Sequence, residues 1–337
     1  MLSARTSRHA VAIGRLIATR RPAGGSRVAT GALTALAAAA PTMLVAMGVA
    51  IPGPGPGGLT AAARRAASTT TAPAPGSTGA GGPNAKGGPP LYRIVGCRSH
   101  GTIGYRQGPP RREVAFGFDD GPWRDTPAFV RMLERSHARA TFFMIGRQLG
   151  PPDRAMLLRE LRDGDVLGDH TFNHPDLTRS GRVQAELQQT IGVIRALSGY
   201  TPCVFRPPYG SYDASVVSTA RSLGLATVLW NVDPSDYSQP GTGAIERRVL
   251  AQVRPGSIVI SHDGGGRRTE TLDAYPAIIS ALRARGYRIV TIPELLGFRP
   301  VYVPCVRLCD GIGVPRGKLP RGAIIERGRS RAPSAPA

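Results

Sequence analysis

Residues 1–110 contain no acidic side chain, although they carry 12 Lys and Arg. That absence places the formal net charge of +21 before it is interpreted. Residues 111–300 hold 24 basic and 20 acidic side chains, and residues 301–337 hold 7 and 2. The basicity therefore belongs to the two ends. A nucleic-acid-binding domain, whose charge should cover a folded face, is disfavoured. Lysine is nearly missing as well: Lys86 and Lys318 are the only two. The arginine bias reads as the mark of a GC-rich coding sequence rather than of a partner. No repeat of fixed period is visible, which argues against solenoids and propellers. With 41% hydrophobic residues in 337, neither wholesale disorder nor a collagen-like rod is compatible with the chain.

What is present divides the chain into four segments. Arg5, Arg8, Arg15, Arg20, Arg21 and Arg27 precede an uncharged apolar run from Val28 to Ile51. A basic leader followed by such a run reads as an export signal or signal anchor over 1–51, and the run is long enough to span a bilayer. Residues 52–90 are Gly, Pro, Ala, Ser and Thr with little to bury, as expected of a flexible linker outside the cytoplasm. Residues 91–310 form the expected folded domain, and 311–337 a basic disordered tail. The implied location is extracytoplasmic, either secreted or tethered to the membrane through the N-terminal segment.

Between the ends, strand and helix patterns alternate. Val114–Phe118, Thr141–Ile145, Asp165–Asp169, Cys203–Arg206, Ala226–Val232, Ser257–Ser261 and Arg288–Ile292 read as strands. Helical spacing occupies Thr126–Arg135, the Met156–Leu161 region, Arg182–Leu197, 213–223, 244–253 and Thr271–Arg285. Such alternation predicts an α/β fold with a parallel sheet, either a closed barrel or an open doubly wound sheet.

Polar groups recur where these strands stop: Asp119 and Asp120, His170 and His174, Arg206, Asp233 and Asp236, His262 and Asp263. Each alone has an ordinary explanation as a cap, a surface pair or a loop residue. Five successive strand ends carrying them suggest one rim of a barrel, where active sites lie. Asp120, His170 and His174 can hold one divalent cation and leave a coordination position open, the arrangement expected of catalytic zinc, although other first-row ions suit the same donors. Such an ion lowers the pKa of a bound water and polarises a substrate oxygen. Asp119 is then free to act as base. His262 is placed to protonate a leaving group, with Asp233 as the carboxylate that keeps it charged.

Phe118-Asp119-Asp120-Gly121-Pro122, His170-Thr171-Phe172-Asn173-His174, Arg206-Pro207-Pro208-Tyr209-Gly210, Asp233-Pro234-Ser235-Asp236-Tyr237 and Ile260-Ser261-His262 stand in this order along the chain. Residues 111–297 thereby resemble the polysaccharide deacetylases, carbohydrate esterase family 4 or NodB-homology domains. The resemblance implies a distorted (β/α) barrel that removes N-acetyl groups from amino sugars. It implies Asp119 as base, Asp120, His170 and His174 as metal ligands, and Arg206 as the arginine orienting the base. It further implies Tyr209 as a backbone N–H donor to the oxyanion, His262 as acid with Asp233 as its partner, and Ile260 as a wall for the acetyl methyl group. Three positions depart from the family pattern: Gly117 where Thr is usual, which should loosen the strand end, Tyr237 where Trp is usual, and Ile260 where Leu is usual. Tyr237 keeps an aromatic wall, so altered substrate fit is expected rather than lost chemistry.

Trp123, Phe172, Tyr209, Tyr212, Trp230 and Tyr237 lie in or near these segments and are candidates for stacking on sugar rings, with Trp230 better placed in the core. Peptidoglycan is the leading polymer, because an anchored enzyme on a flexible stalk would face the wall. Chitin or chitooligosaccharide and acetylated xylan are the alternatives, and a non-catalytic wall-binding module is the rival outside enzymes. No protein partner is indicated. Cys97, Cys203, Cys305 and Cys309 permit two disulfides in three ways. Cys97 and the Cys305/Cys309 pair flank the motif region, which makes a bridge between the domain ends attractive.

Overall fold

A computed structural model of the chain describes residues 91–99, 104–305, 309 and 312–327, all within the unit Ala80–Ala337. The expected leader at 1–51 and the linker at 52–90 lie outside the described residues. Among the described residues no helix is long and apolar enough to cross a membrane.

The first strand, β1 (Leu91–Arg98), belongs to a small outer sheet. The central strand is β2 (Glu113–Gly121), in which Val114, Ala115, Phe116 and Phe118 are completely buried. An unbroken apolar run marks a strand covered on both faces, as parallel sheets require. Helix α1 (Thr126–Arg135) follows, with Pro127 in its first turn and Phe129, Val130, Met132 and Leu133 on its inner face. Next come β3 (Thr141–Met144), α2 (Arg154–Asp163), β4 (Val166–Asp169), the short α3 (Leu177–Ser180) and α4 (Val183–Ser198). Gly164 and Gly199 end α2 and α4 in the left-handed conformation that closes helices. The alternation continues through β5 (Val204–Phe205), α5 (Ala214–Ser222), β6 (Ala226–Thr227), α6 (Thr242–Gln252), β7 (Ser257–His262), α7 (Thr269–Ala284), β8 (Arg288–Val290) and α8 (Ile292–Leu295). Asp213 starts α5 by accepting a 2.8 Å bond from the Val216 N–H.

The strands form one parallel sheet in the order β6-β5-β4-β3-β2-β7, with β8 pairing the first residues of β2. The sheet curls into a half-barrel. The chain just past β6 comes round to the other edge, where Val232 bridges Val259 and accepts a 3.0 Å bond from the Ile260 N–H. The expected strand Ala226–Val232 is thus regular only at its start and reaches β7 with its end. Because all seven strands run the same way, their carboxyl ends share one rim.

The small sheet has the order β10-β1-β9-β11, where β9 is Arg299–Pro304, β10 is Val314–Pro315 and β11 is Ile324–Ile325. This corrects the expectation of disorder from residue 311. Residues 312–327 return to the domain because the edges of β1 and β9 offer them backbone partners, and Glu326 pairs with Arg98 at 2.5 Å. The expected bridge between the domain ends is likewise replaced. Cys97 pairs with Cys203, tying β1 to the residue before β5, and Cys305 pairs with Cys309. The reason is proximity: β1 runs past Thr201, whose N–H bonds to the Val95 carbonyl at 2.9 Å, and this brings the Cys97 and Cys203 Cα atoms to 5.4 Å.

Candidate active site

Asp119 and Asp120 close β2. In a regular strand they would point to opposite faces. Here the pairing with β3 slips between Asp119 and Gly121, and Asp120 takes a positive φ of 71°, so that both carboxylates line one hollow. Thr171, His174, Tyr209 and Ser235 also have positive φ, which concentrates backbone strain around this hollow.

His170 follows β4 directly. Its Nδ1 lies 2.7 Å from the Arg206 carbonyl oxygen, so that nitrogen is the donor and Nε2 turns towards Asp120 Oδ1 at 3.4 Å. His174 presents Nε2 to the same oxygen at 3.1 Å, while its Nδ1 meets the Tyr209 hydroxyl at 3.2 Å. The loop between the two histidines is tied down from beneath. The Glu186 carboxylate accepts from the Phe172 N–H at 3.0 Å, the Asn173 N–H at 2.7 Å and the Asn173 side chain at 2.9 Å.

The donor atoms of Asp120, His170 and His174 lie within 4.8 Å of one another, and Asp120 Oδ1 is buried without a hydrogen-bond donor. Burial opposes ionisation of Asp120, but contacts with His170 and His174 hold it well below the usual carboxylate range. Burial would also depress His170, yet Asp119 and Asp120 raise it. The hollow therefore calls for positive charge. Separations of 3.1–3.4 Å between Nε2 and Oδ1 are those expected when both atoms lie about 2.0–2.2 Å from a shared divalent ion. The residues fit a metal.

Asp119 Oδ1 accepts from Arg206 Nη1 at 2.7 Å, within a fully buried ion pair. The Arg206 guanidinium lies 4.2 Å from the centroid of the Phe143 ring and also faces Trp230 at 5.7 Å. A Cβ on Gly117 would come within 2.5 Å of Nη1 and 2.9 Å of Cζ of Arg206. The glycine is thus the space in which the arginine lies, not a loosened strand end.

His262 sits opposite Asp119 in the β2–β7 register. Its Nδ1 lies 2.8 Å from Asp236 Oδ1, and its backbone N–H donates to Asp236 Oδ2 at 2.8 Å. Asp233, the expected partner, instead accepts from the Ser235 N–H at 2.6 Å and so shapes the turn that delivers Asp236. It remains in the wall of the cavity. Burial alone would lower the His262 pKa, but Asp236 raises it to about 9.

The cavity over these groups measures about 490 Å³ and is bordered by Tyr209, Trp230, Tyr237 and Ile260. The structure thus brings every sequence-predicted site residue to one hollow except Arg206, which reaches it from below through Asp119. Among the described residues, the only exposed large aromatics are Trp123, Tyr209 and Tyr237, all at or beside this hollow. Trp230 packs on the core and lines the cavity as well. Sequence reasoning missed Glu186 and did not choose Asp236. Glu186 lies outside every motif, on the helix that follows the His170–His174 segment, and its only signal was an acid in the first turn of α4.

The family profile described as polysaccharide deacetylase matches residues 106–228. A chitooligosaccharide deacetylase of Sinorhizobium fredii is 38% identical over 205 residues, covering 56% of this chain and 94% of that protein. A peptidoglycan-N-acetylglucosamine deacetylase of Bacillus cereus is 36% identical over 197 residues, covering 55% of this chain and 89% of the relative. The crystal structure of the Bc1960 peptidoglycan N-acetylglucosamine deacetylase superposes with a TM-score of 0.55 at 31% identity, over 58% of this chain and 92% of that one. The chain belongs to the polysaccharide deacetylases, the NodB-homology domains of carbohydrate esterase family 4. It is an enzyme of that hydrolytic class.

Proposed function

We propose that the chain hydrolyses the N-acetyl groups of amino sugars in a cell-wall polysaccharide, with peptidoglycan as the leading substrate. The observation that carries this reading is the convergence of the Asp120, His170 and His174 donors beside an Asp119 carboxylate that is held separately by Arg206. A cation in the first set, most simply zinc, would supply a water of lowered pKa and polarise the amide carbonyl. Asp119 takes the proton of the attacking water. Arg206 fixes the Asp119 carboxylate through Oδ1, leaving Oδ2 for that transfer. His262, kept charged by Asp236, gives its proton to the departing amine nitrogen, and acetate and a free amino sugar result.

The Tyr209 backbone N–H is assigned to the developing oxyanion. Ile260, on the cavity wall, meets the acetyl methyl group, and the exposed Tyr237 and Tyr209 rings offer faces to the sugar. Export is favoured by the pairing of Cys97 with Cys203 and Cys305 with Cys309, since disulfides persist in oxidising compartments. The test is acetate release from peptidoglycan, chitooligosaccharide and acetylated xylan by the full chain with added zinc. Release from peptidoglycan above the others supports the reading, and release from xylan alone overturns it.

A further inference from the structure

A second cavity of about 500 Å³ adjoins the catalytic one and shares Asp120 and His174 with it, so a glycan seated over the cluster extends into this space. Trp123, 43% exposed, offers an aromatic face there, and Ile145 adds apolar surface. One polar group is left over. The Arg147 side chain is exposed at the wall and has neither a carboxylate nor a hydrogen-bond partner among the described residues.

An aromatic plate suits the face of a sugar ring. The unpaired guanidinium beside it adds a demand that a neutral sugar does not meet. We infer that this cavity is a second sugar subsite, in which Trp123 stacks on the ring next to the reacting one and Arg147 binds a carboxylate attached to it, selecting acidic glycans over neutral ones. The lactyl-substituted sugar of a peptidoglycan strand freed of its stem peptide has that chemistry, whereas chitooligosaccharides do not. A guanidinium pairs with a carboxylate through two parallel N–H donors, which gives register as well as attraction. The inference rests on the deacetylase reading above and sharpens its substrate class.

The experiment compares the metal-loaded full chain and its Arg147→Ala variant. It measures kcat/KM for acetate release on a chitooligosaccharide and on a peptide-free peptidoglycan glycan strand of equal length. The ratio of peptidoglycan to chitooligosaccharide efficiency should fall about tenfold in Arg147→Ala, through KM, as expected for loss of one charge-assisted contact. An unchanged ratio overturns the inference. In parallel, calorimetric binding of the same two glycans to Asp119→Asn and to Asp119→Asn/Arg147→Ala reads the subsite without turnover. A preference for the acidic strand that Arg147→Ala removes supports it, and equal binding of the two glycans overturns it. If the parent releases no acetate from either glycan yet this binding preference persists, the deacetylase reading fails while the carboxylate subsite stands.

Discussion

Replacing Gly117 by alanine adds one methyl group at the place where the base is held. That Cβ would lie 2.5, 2.7 and 2.9 Å from Nη1, Nη2 and Cζ of Arg206, closer than real Cβ contacts. The guanidinium cannot swing aside freely, because it is fully buried and packed on Phe143. The 2.7 Å bond to Asp119 therefore lengthens or breaks. Breaking a buried charge pair outright costs about 3–5 kcal/mol. Partial relaxation brings this to about 1.5–3 kcal/mol, the range for a hydrogen bond to a charged group. Gly117→Ala should lower kcat for acetate release by roughly tenfold to a hundredfold, since each 1.4 kcal/mol is tenfold. Its melting temperature should drop by about 5–10 °C. The double variant Gly117→Ala/Arg206→Lys tests the cause, because a slimmer side chain leaves the new methyl group with less to strike. Its kcat should be no lower than that of Arg206→Lys alone. A Gly117→Ala enzyme with parental kcat and melting temperature would refute the reasoning, as would additive losses in the double variant.

Other consequences follow from the same contacts. Asp236→Asn removes the carboxylate that lifts His262, so the alkaline limb of the kcat profile should move from about pH 9 towards the ordinary histidine range near about 6.5. The sign follows from the role: an acid must be protonated, and His262 keeps its proton only below its pKa. Asp233→Asn should leave that limb in place, which a titration of rate against pH would check. Replacing both Cys97 and Cys203 by serine opens a bridge between residues 106 apart, worth about 4–5 kcal/mol in the chain-entropy account. Thermal unfolding should show a large loss, while the Cys305→Ser/Cys309→Ser pair, which closes a separation of 4, should lose less.

Much of the barrel is legible in the sequence because parallel strands covered on both faces write continuous apolar runs. Val114–Phe118 and Ser257–Ser261 are recognisable without partners for that reason, and Thr126–Arg135 has the bounds its spacing predicts. The candidate metal set was legible as well, since its members stand at or just past the ends of two strands, β2 and β4. The small sheet was not. Two-residue strands such as Val314–Pro315 and Ile324–Ile325 carry no periodicity, and only the long-range edges of β1 and β9 decide that they form. The choice between Asp233 and Asp236 was hidden too. Both sit in the same short motif, and the left-handed turn at Ser235, a backbone property, sends one to the turn and the other to His262. Gly117 illustrates a third limit: a missing side chain acquires meaning only when the group that occupies its space, 89 positions later in the chain, is known.

In the proposed mechanism one carboxylate binds the cation and its neighbour does the proton chemistry. Elemental analysis paired with acetate release separates the two in Asp119→Asn and His174→Ala. A full equivalent of divalent metal without turnover is expected in Asp119→Asn, and loss of metal together with turnover in His174→Ala. Turnover surviving in Asp119→Asn, or full metal content in His174→Ala, would contradict it.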